Sequence, residues 1–276
     1  MKLRRMMIYL GVGLAAAWLV ACIGLIVFAR TLIYPFQPGF SAATPVGVPG
    51  MRAVTLGADD GEALTVWLAP PREGQPVILY FTGNAGSLPA DGPLFGELAE
   101  RGFGIAALNY RGAGGMPGKP SQAMLTADAV ALYDALDRLI GQPVPPTRRV
   151  IFGTSLGAGL AVQLAARRPV RGLVLETPFN RLCEVAQIHY PLFPACLLLP
   201  YERWASADLI GQVAAPLLIL HGDADETIPL SQGKALFTAA REPKRLIVYP
   251  GADHNDLRLH GMGDDAIEFI EGLAGD

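Results

Sequence analysis

The 276-residue sequence predicts an α/β domain, with a mostly parallel sheet and helices on both faces, preceded by one transmembrane helix. Two observations predict the domain: short apolar runs alternate with stretches of helical periodicity, and one hairpin pattern comes before them. A third predicts the membrane helix, because residues 6–29 carry no charged side chain. A net charge of −3 gives no electrostatic basis for binding nucleic acid, so we expect no such partner.

The charge-free stretch is long enough to cross a bilayer. As a helix its 24 residues extend about 36 Å, against about 30 Å for the hydrocarbon core. Arg30 follows it, and three basic residues precede it: Lys2, Arg4 and Arg5. The positive-inside rule then places the N-terminus in the cytoplasm and the rest of the chain on the non-cytoplasmic side. We expect residues 1–30 to be an uncleaved signal anchor.

Two other fates of the N-terminus remain open. Residues 19–22 (LVAC) resemble a lipoprotein processing site that would lipidate Cys22, although the sequence stays apolar after it. The second possible fate is cleavage of the N-terminal segment at another position. Residues 31–50 are rich in Pro and Gly and predict a linker, which leaves residues 51–276 as the globular domain.

The elements of the domain follow from pattern and spacing. Residues 51–57 and 63–69 alternate apolar and polar side chains around Asp60-Gly61, which predicts a hairpin. Short continuous apolar runs, typical of strands buried on both faces, predict strands at 77–81, 104–109, 150–152, 172–176, 216–220 and 245–249. Helical periodicity predicts helices at 88–101, 121–140, 156–168, 230–240 and 263–273. In such sheets the chemistry collects at the carboxyl ends of the strands.

Ser155 is the candidate nucleophile. It follows the strand at 150–152 in the sequence Gly153-Thr154-Ser155-Leu156-Gly157, which matches G-x-S-x-G, and a helix follows. In a nucleophile elbow the serine occupies a tight strand-to-helix turn, and the glycines allow that turn. The alternative is an ordinary Gly/Ser turn.

A serine nucleophile needs a base, and the base needs an acid that orients it. Asp225 follows the strand at 216–220 and is the candidate acid, with Asp223 and Glu176 as rivals. His254 follows the strand at 245–249 and is the candidate base, with His260 as a weaker choice.

The remaining pieces concern the oxyanion and the other histidines. Two backbone N–H groups should stabilise a tetrahedral oxyanion, and we expect them from Leu156, after the nucleophile, and from Asn84, in the loop after the strand at 77–81. His221 adjoins the candidate acid, and we expect it to anchor that loop.

Together these motifs resemble the α/β-hydrolase superfamily. Within it, the chain is similar to membrane-anchored serine hydrolases such as depalmitoylases and monoacylglycerol lipases, and to bacterial serine-aminopeptidase-like hydrolases. The motifs are LIYP at 32–35, GNAG at 83–86, NYRG at 109–112, GTSLG at 153–157, HGDAD at 221–225 with Ile228-Pro229, and GADHND at 251–256. The resemblance implies Ser155 as nucleophile, Asp225 as acid and His254 as base, with Asn84 and Leu156 in the oxyanion hole.

The chain departs from the family pattern at four positions near the site. Thr82 stands where a histidine is usual, and Asn109 stands where an aspartate is usual. Ala113 and Met116 stand where an aromatic residue and a serine are common. None of these belongs to the triad, so the departures bear on loop support and substrate preference.

Residues 178–213 form an insertion between two strands, rich in Pro, Leu and aromatic residues, and predict a short lid. Its aromatic residues are Phe179, Tyr190, Phe193, Tyr201 and Trp204. They could line an acyl pocket or pack against the edge of the sheet. Cys183 and Cys196 in the same insertion could pair in an oxidising compartment or remain buried thiols.

The resemblance implies a serine hydrolase that cleaves an ester or thioester of an acyl, lipid-like substrate, with no cofactor. No motif indicates a metal site. Two alternatives remain: a peptidase or amidase, and a catalytically silent hydrolase fold that serves as a binding partner. The oligomeric state does not follow from the sequence.

Overall fold

A computed structural model describes residues 2–36, 45, 48–84 and 88–273. Most of the predicted linker, at 37–44 and 46–47, lies outside the described residues, as do residues 85–87 of the loop that contains Asn84. The helices are α1 Lys2–Ile33, α2 Gly92–Glu100, α3 Gln122–Ile140, α4 Leu156–Ala165, α5 Leu182–His189, α6 Ala195–Leu198, α7 Ala207–Ile210, α8 Leu230–Ala239 and α9 Met262–Gly272. The strands are β1 Arg52–Gly57, β2 Ala63–Ala69, β3 Val77–Phe81, β4 Gly104–Leu108, β5 Arg149–Thr154, β6 Gly172–Glu176, β7 Leu217–Gly222 and β8 Lys244–Tyr249.

In the described part of the chain, eight strands form one sheet in the order β1-β2-β4-β3-β5-β6-β7-β8. The predicted hairpin pairs β1 with β2, and β2 pairs antiparallel with β4. All further pairs are parallel. The predicted fold class, a mostly parallel sheet after one hairpin, is therefore confirmed.

Both faces of the sheet are buried under helices, and β3 shows how the sequence achieves this. Leu79 and Phe81 pack into one core with α3 and α4, while Ile78 and Tyr80 pack into the other with α2 and α9. Successive side chains of a strand point to opposite faces, so a strand buried on both faces must be apolar throughout. This is why the continuous apolar runs predict the parallel strands.

The element ends differ from the sequence prediction by a few residues. Residues 88–91 form a 3₁₀ turn before α2, and α4 ends at Ala165 rather than at 168. β7 continues through His221 and Gly222 because they pair with Val248 and Tyr249 of β8. Strand pairing, which the local pattern does not contain, sets these ends.

Helix α1 is the one described helix with the length and apolar composition needed to cross a membrane. It does not stand apart from the domain. The indole Nε1 of Trp18 donates a hydrogen bond to the carbonyl oxygen of Leu192 at 3.0 Å. At its other end, Arg30 Nε pairs with the buried carboxylate of Glu202 at 2.8 Å.

The predicted lid contains three short helices, α5 to α7. A disulfide between Cys183 and Cys196 joins α5 to α6, with Cα atoms 4.7 Å apart. The structure therefore selects the paired alternative. Phe193 of the lid stacks on Trp18 of α1, with ring centroids 6.4 Å apart.

Candidate active site

Ser155 lies on the turn between β5 and α4, in the backbone conformation of a nucleophile elbow. Its φ of 54° and ψ of −114° are unusual for a residue with a side chain. A Cβ atom at Gly153 would collide with the carbonyl group of Gly157, and a Cβ at Gly157 would collide with that of Phe81 in β3. Both flanking positions of the G-x-S-x-G motif therefore require glycine because backbone passes directly over them.

The three side chains expected to form a triad lie in one hydrogen-bonded chain. His254 Nε2 lies 3.0 Å from Ser155 Oγ, and His254 Nδ1 lies 2.8 Å from Asp225 Oδ2. Ser155 and Asp225 are buried. The residues come from three separate strand ends, of β5, β7 and β8, at the same edge of the parallel sheet.

The loop after β7 holds Asp225 in place. Its Oδ1 accepts hydrogen bonds from the backbone N–H groups of Thr227, at 2.9 Å, and Ile228, at 2.7 Å. This leaves Oδ2 for His254. The fully buried His221 lies 2.8 Å, through Nε2, from the carbonyl oxygen of Ile228, which supports its expected role as the loop's anchor. Burial lowers the pKa of His221, so this ring is neutral at pH 7 and its Nε2–H donates.

The rival residues occupy other places. Asp223 is exposed, and its Oδ1 accepts from the backbone N–H of Gly251 at 2.7 Å, which ties the acid loop to the base loop. His260 lies 4.0 Å from Asp256 on the surface. Neither reaches the Ser155 hydroxyl through a hydrogen bond in the described part of the structure.

Glu176, the third candidate acid, lies behind the site in a buried polar cluster. It accepts a hydrogen bond from Thr154 Oγ1 at 2.7 Å, and the Tyr80 hydroxyl lies 3.1 Å from the same Thr154 oxygen. Burial, reinforced by the charge of Asp91, raises the pKa of Glu176 to about 7. Burial also raises the pKa of Asp91 to about 6, against hydrogen bonds from Thr82 and Tyr80.

Sequence reasoning missed two contacts of this site. Thr82 stands where a histidine is usual in similar hydrolases, and its hydroxyl interacts with the carboxylate of Asp91 and lowers the pKa of that group. Asp91 lies nine residues further along the chain, in the turn before α2. His189 of the lid lies 2.9 Å, through Nε2, from the carbonyl oxygen of Thr227 in the acid loop. No local motif marks either pair. A separation of nine residues between Thr82 and Asp91, and the position of His189 at the end of α5, carry no chemical signal by themselves.

The expected oxyanion donors lie beside Ser155. Leu156 begins α4 directly after the serine, and the loop after β3 approaches from the other side. A Cβ at Gly83 would lie 3.6 Å from the Cβ of Ser155, so the backbone before Asn84 touches the elbow. Asn84, Leu156 and Ser155 border the same cavity.

The cavity in front of Ser155 is apolar and has a volume of about 310 Å³. Lid residues line it, among them Phe179, Tyr190 and Phe193 of the predicted aromatic set. Trp204 instead lies fully buried, with its Nε1 donating to the Tyr34 hydroxyl at 3.0 Å, and Tyr201 points to the surface. The described residues contain no group of three or more His, Cys, Asp or Glu side chains that could hold a metal ion.

Comparisons with known proteins agree with this fold. A family model described as "Serine aminopeptidase, S33" matches residues 74–200. An uncharacterized protein of Mycobacterium tuberculosis is 40% identical over 233 residues, which cover 83% of this chain and 82% of that protein. The lysophosphatidylserine lipase ABHD12 of Danio rerio is 34% identical over 195 residues, which cover 63% of this chain and 50% of the lipase.

A similar solved structure is Est1E from Butyrivibrio proteoclasticus. It superposes with a TM-score of 0.67 at 18% identity, over 81% of this chain and 99% of Est1E, and so shows the fold. The turn at Ser155 after β5 agrees with the similarity to these proteins. The chain is therefore a hydrolase that belongs to the α/β-hydrolase superfamily.

Proposed function

We propose that this chain is a serine hydrolase that cleaves carboxylic ester or thioester bonds of a lipid-like acyl substrate. The observation that carries the proposal is the hydrogen-bonded chain from Asp225 through His254 to Ser155, which ends in an apolar cavity. A hydroxyl, an imidazole and a buried carboxylate in this order are the parts required for acyl transfer.

The proposed reaction has two steps. His254 Nε2 takes the proton of Ser155 Oγ as the oxygen attacks the substrate carbonyl, and the N–H groups of Leu156 and Asn84 stabilise the oxyanion. The tetrahedral intermediate collapses, His254 gives its proton to the leaving alcohol or thiol, and an acyl-serine remains. Water, deprotonated by the same imidazole, then releases the carboxylic acid and restores Ser155. Asp225 keeps Nδ1 protonated and stabilises the imidazolium.

An acyl substrate is supported by the walls of the cavity. Phe179, Val185 and Phe193 present apolar surface within reach of Ser155. Burying an alkyl chain there gains about 0.8 kcal/mol for each CH₂ group removed from water. The related Danio rerio protein is named as a lysophosphatidylserine lipase, which fits a lipid-like substrate for this chain.

An amidase is the second candidate, because the matching family model is described as a serine aminopeptidase. An aminopeptidase must bind the charged amino terminus of its substrate, and a carboxylate suits that task. No Asp or Glu lines the cavity in the described part of the chain. This favours the esterase or thioesterase over the peptidase.

We further propose the arrangement of the whole chain. Residues 1–30 hold the chain in the membrane as a single-pass signal anchor, and residues 31–50 link this anchor to the catalytic domain. The catalytic domain comprises residues 51–276, with the lid at 178–213. The catalytic domain lies on the non-cytoplasmic side. Two observations support this orientation: basic residues before the apolar stretch of α1, and a disulfide in the lid, which forms in oxidising compartments.

The test uses the full chain in detergent and p-nitrophenyl esters with acyl chains of two to sixteen carbons, with the matching p-nitroanilides as amides. We expect ester hydrolysis that is lost by at least about 10³-fold in His254→Ala. His260→Ala is the matched control and should keep its activity. Preferential hydrolysis of the anilides would favour the amidase, and inactivity of the folded wild type on all substrates would favour a silent binding protein.

A further inference from the structure

The cavity at Ser155 has a wall that the catalytic domain does not supply. Part of its lining comes from the last two and a half turns of α1. The α1 residues that line it are Leu25, Ala29, Leu32 and Ile33. Their spacing of three and four places them on one face of the helix, which therefore presents a continuous apolar stripe to the cavity.

Two sets of contacts fix this face of α1 against the lid. Before the cavity-lining turns, Trp18 bonds the carbonyl oxygen of Leu192 and stacks on Phe193. Within and directly after them, Arg30 and Tyr34 respectively both bond the carboxylate of Glu202. The contacts bracket the stripe, so its position beside Ser155 is held at both ends.

We propose that the C-terminal turns of α1 are one wall of the acyl-chain binding site, so that the acyl chain of a bilayer lipid reaches Ser155 between α1 and the lid. This inference rests on the proposed hydrolase function and adds the substrate class, a membrane-resident monoacyl lipid. The volume of about 310 Å³ lies at the lower end of the range for ligand pockets, roughly 300–1,000 Å³, and suits one acyl chain.

The cavity reaches the surface on the side where lipid would be. Leu32 of α1 and Tyr190 of the lid both line it, yet they remain 56% and 53% exposed. The adjoining lid surface carries Leu192 and Leu197, which are 79% and 78% exposed. Apolar side chains this exposed are expected where a surface meets lipid rather than water.

The length of α1 also places the lid at the bilayer. The charge-free part before Trp18, residues 6–17, extends only about 18 Å at 1.5 Å per residue, less than the hydrocarbon thickness of about 30 Å. A membrane-spanning α1 therefore carries its Trp18 contact with the lid into the outer part of the hydrocarbon region. The exposed leucines of the lid then face acyl chains, and the cavity between lid and α1 adjoins the same layer.

The test uses the full chain in lipid nanodiscs, with p-nitrophenyl butyrate as a short substrate and p-nitrophenyl palmitate as one that dissolves in the bilayer. Ala29→Trp fills the cavity from the α1 side, and Val27→Trp places the same residue on the exposed face of α1 as a matched control. We expect Ala29→Trp to lower kcat/KM for the palmitate at least tenfold and to leave the butyrate within about twofold. Val27→Trp should change neither.

A milder pair covers the case in which Ala29→Trp does not fold, as judged by loss of covalent labelling by a fluorophosphonate. Leu25→Ala removes apolar contact without adding volume, and Ile26→Ala is its control on the exposed face. We expect Leu25→Ala alone to lower the palmitate-to-butyrate ratio several-fold. An unchanged ratio in Leu25→Ala and in a folded Ala29→Trp would overturn the inference. If the wild type neither labels nor hydrolyses either ester, the proposed function itself fails.

Discussion

At the scale of single residues, Ser155 has a strained backbone conformation that contacts with the surrounding structure must stabilise. A positive φ in a residue with a side chain costs about 1–3 kcal/mol and persists only where neighbours determine it. Here the hydrogen bond from Ser155 N–H to the carbonyl oxygen of Glu176 and the close passage of Gly157 against β3 hold the turn. The strained turn lifts the hydroxyl above the sheet edge, where His254 reaches it.

The choice of acid gives the first prediction. Asp225→Asn removes the charge that orients His254 and stabilises its imidazolium, and we expect kcat for ester hydrolysis to fall by about 10³–10⁴-fold. Asp223→Asn is the matched control two residues away, because the Asp223 carboxylate accepts a hydrogen bond from a backbone N–H of the base loop and not from His254 in the described part of the chain. We expect it to stay within a few-fold of the wild type. Comparable losses in both variants would refute the assignment.

The buried Glu176 gives a prediction on pH and stability. With its pKa raised to about 7 from about 4.5 in the unfolded chain, Glu176 keeps a proton in the folded protein that the unfolded chain releases. The contribution of Glu176 to the free energy of unfolding is therefore complete below about pH 4 and is lost as the pH rises to about 7. The full loss amounts to about 3 kcal/mol.

Glu176→Gln keeps the shape and the acceptor for Thr154 but does not titrate. We expect its free energy of unfolding, relative to the wild type, to rise by about 1–3 kcal/mol between pH 5 and pH 8. Chemical denaturation at the two pH values measures this difference. A difference that stays constant with pH would show that Glu176 is ionised in the folded protein at both.

At the scale of elements, much of the architecture could be predicted because it is locally encoded. The apolar run of β3 predicts that the strand is buried on both faces, and the glycines around Ser155 predict the tight turn of a nucleophile elbow. Asp225 and His254 could be proposed as acid and base because each follows an apolar strand. What the sequence did not reveal depends on contacts between distant segments: Trp18 with Leu192, 174 positions apart, and Thr82 with Asp91 in the cluster behind the site.

The disulfide of the lid gives a prediction at this scale. It closes a short loop between α5 and α6, and a loop of about 15 residues gains about 3 kcal/mol from such a link. In the double variant Cys183→Ser/Cys196→Ser we expect amide hydrogen exchange to speed up in α5 and α6, while β3 and β5 keep their protection. Exchange that is unchanged in the lid would show that packing alone holds it.

At the scale of the whole molecule, the fold brings the long apolar helix α1 and the candidate active site together. Three strand ends carry the residues of the proposed triad, the lid supplies apolar cover, and α1 contacts that lid over its C-terminal half. We expect the full chain to remain in the membrane fraction after alkaline carbonate extraction. Protease added to the non-cytoplasmic face of intact cells should cleave the domain; protection there, with cleavage only after lysis, would reverse the orientation.

The central claim, that Ser155 is a nucleophile activated by His254, is tested most directly by covalent labelling. We would treat the full chain in detergent with a fluorophosphonate and locate the adduct by mass spectrometry, with Ser155→Ala and His254→Ala alongside. We predict one adduct on Ser155 in the wild type, none in Ser155→Ala, and labelling slowed at least about 10³-fold in His254→Ala. A folded wild type without an adduct, or an adduct on another residue, would contradict the claim.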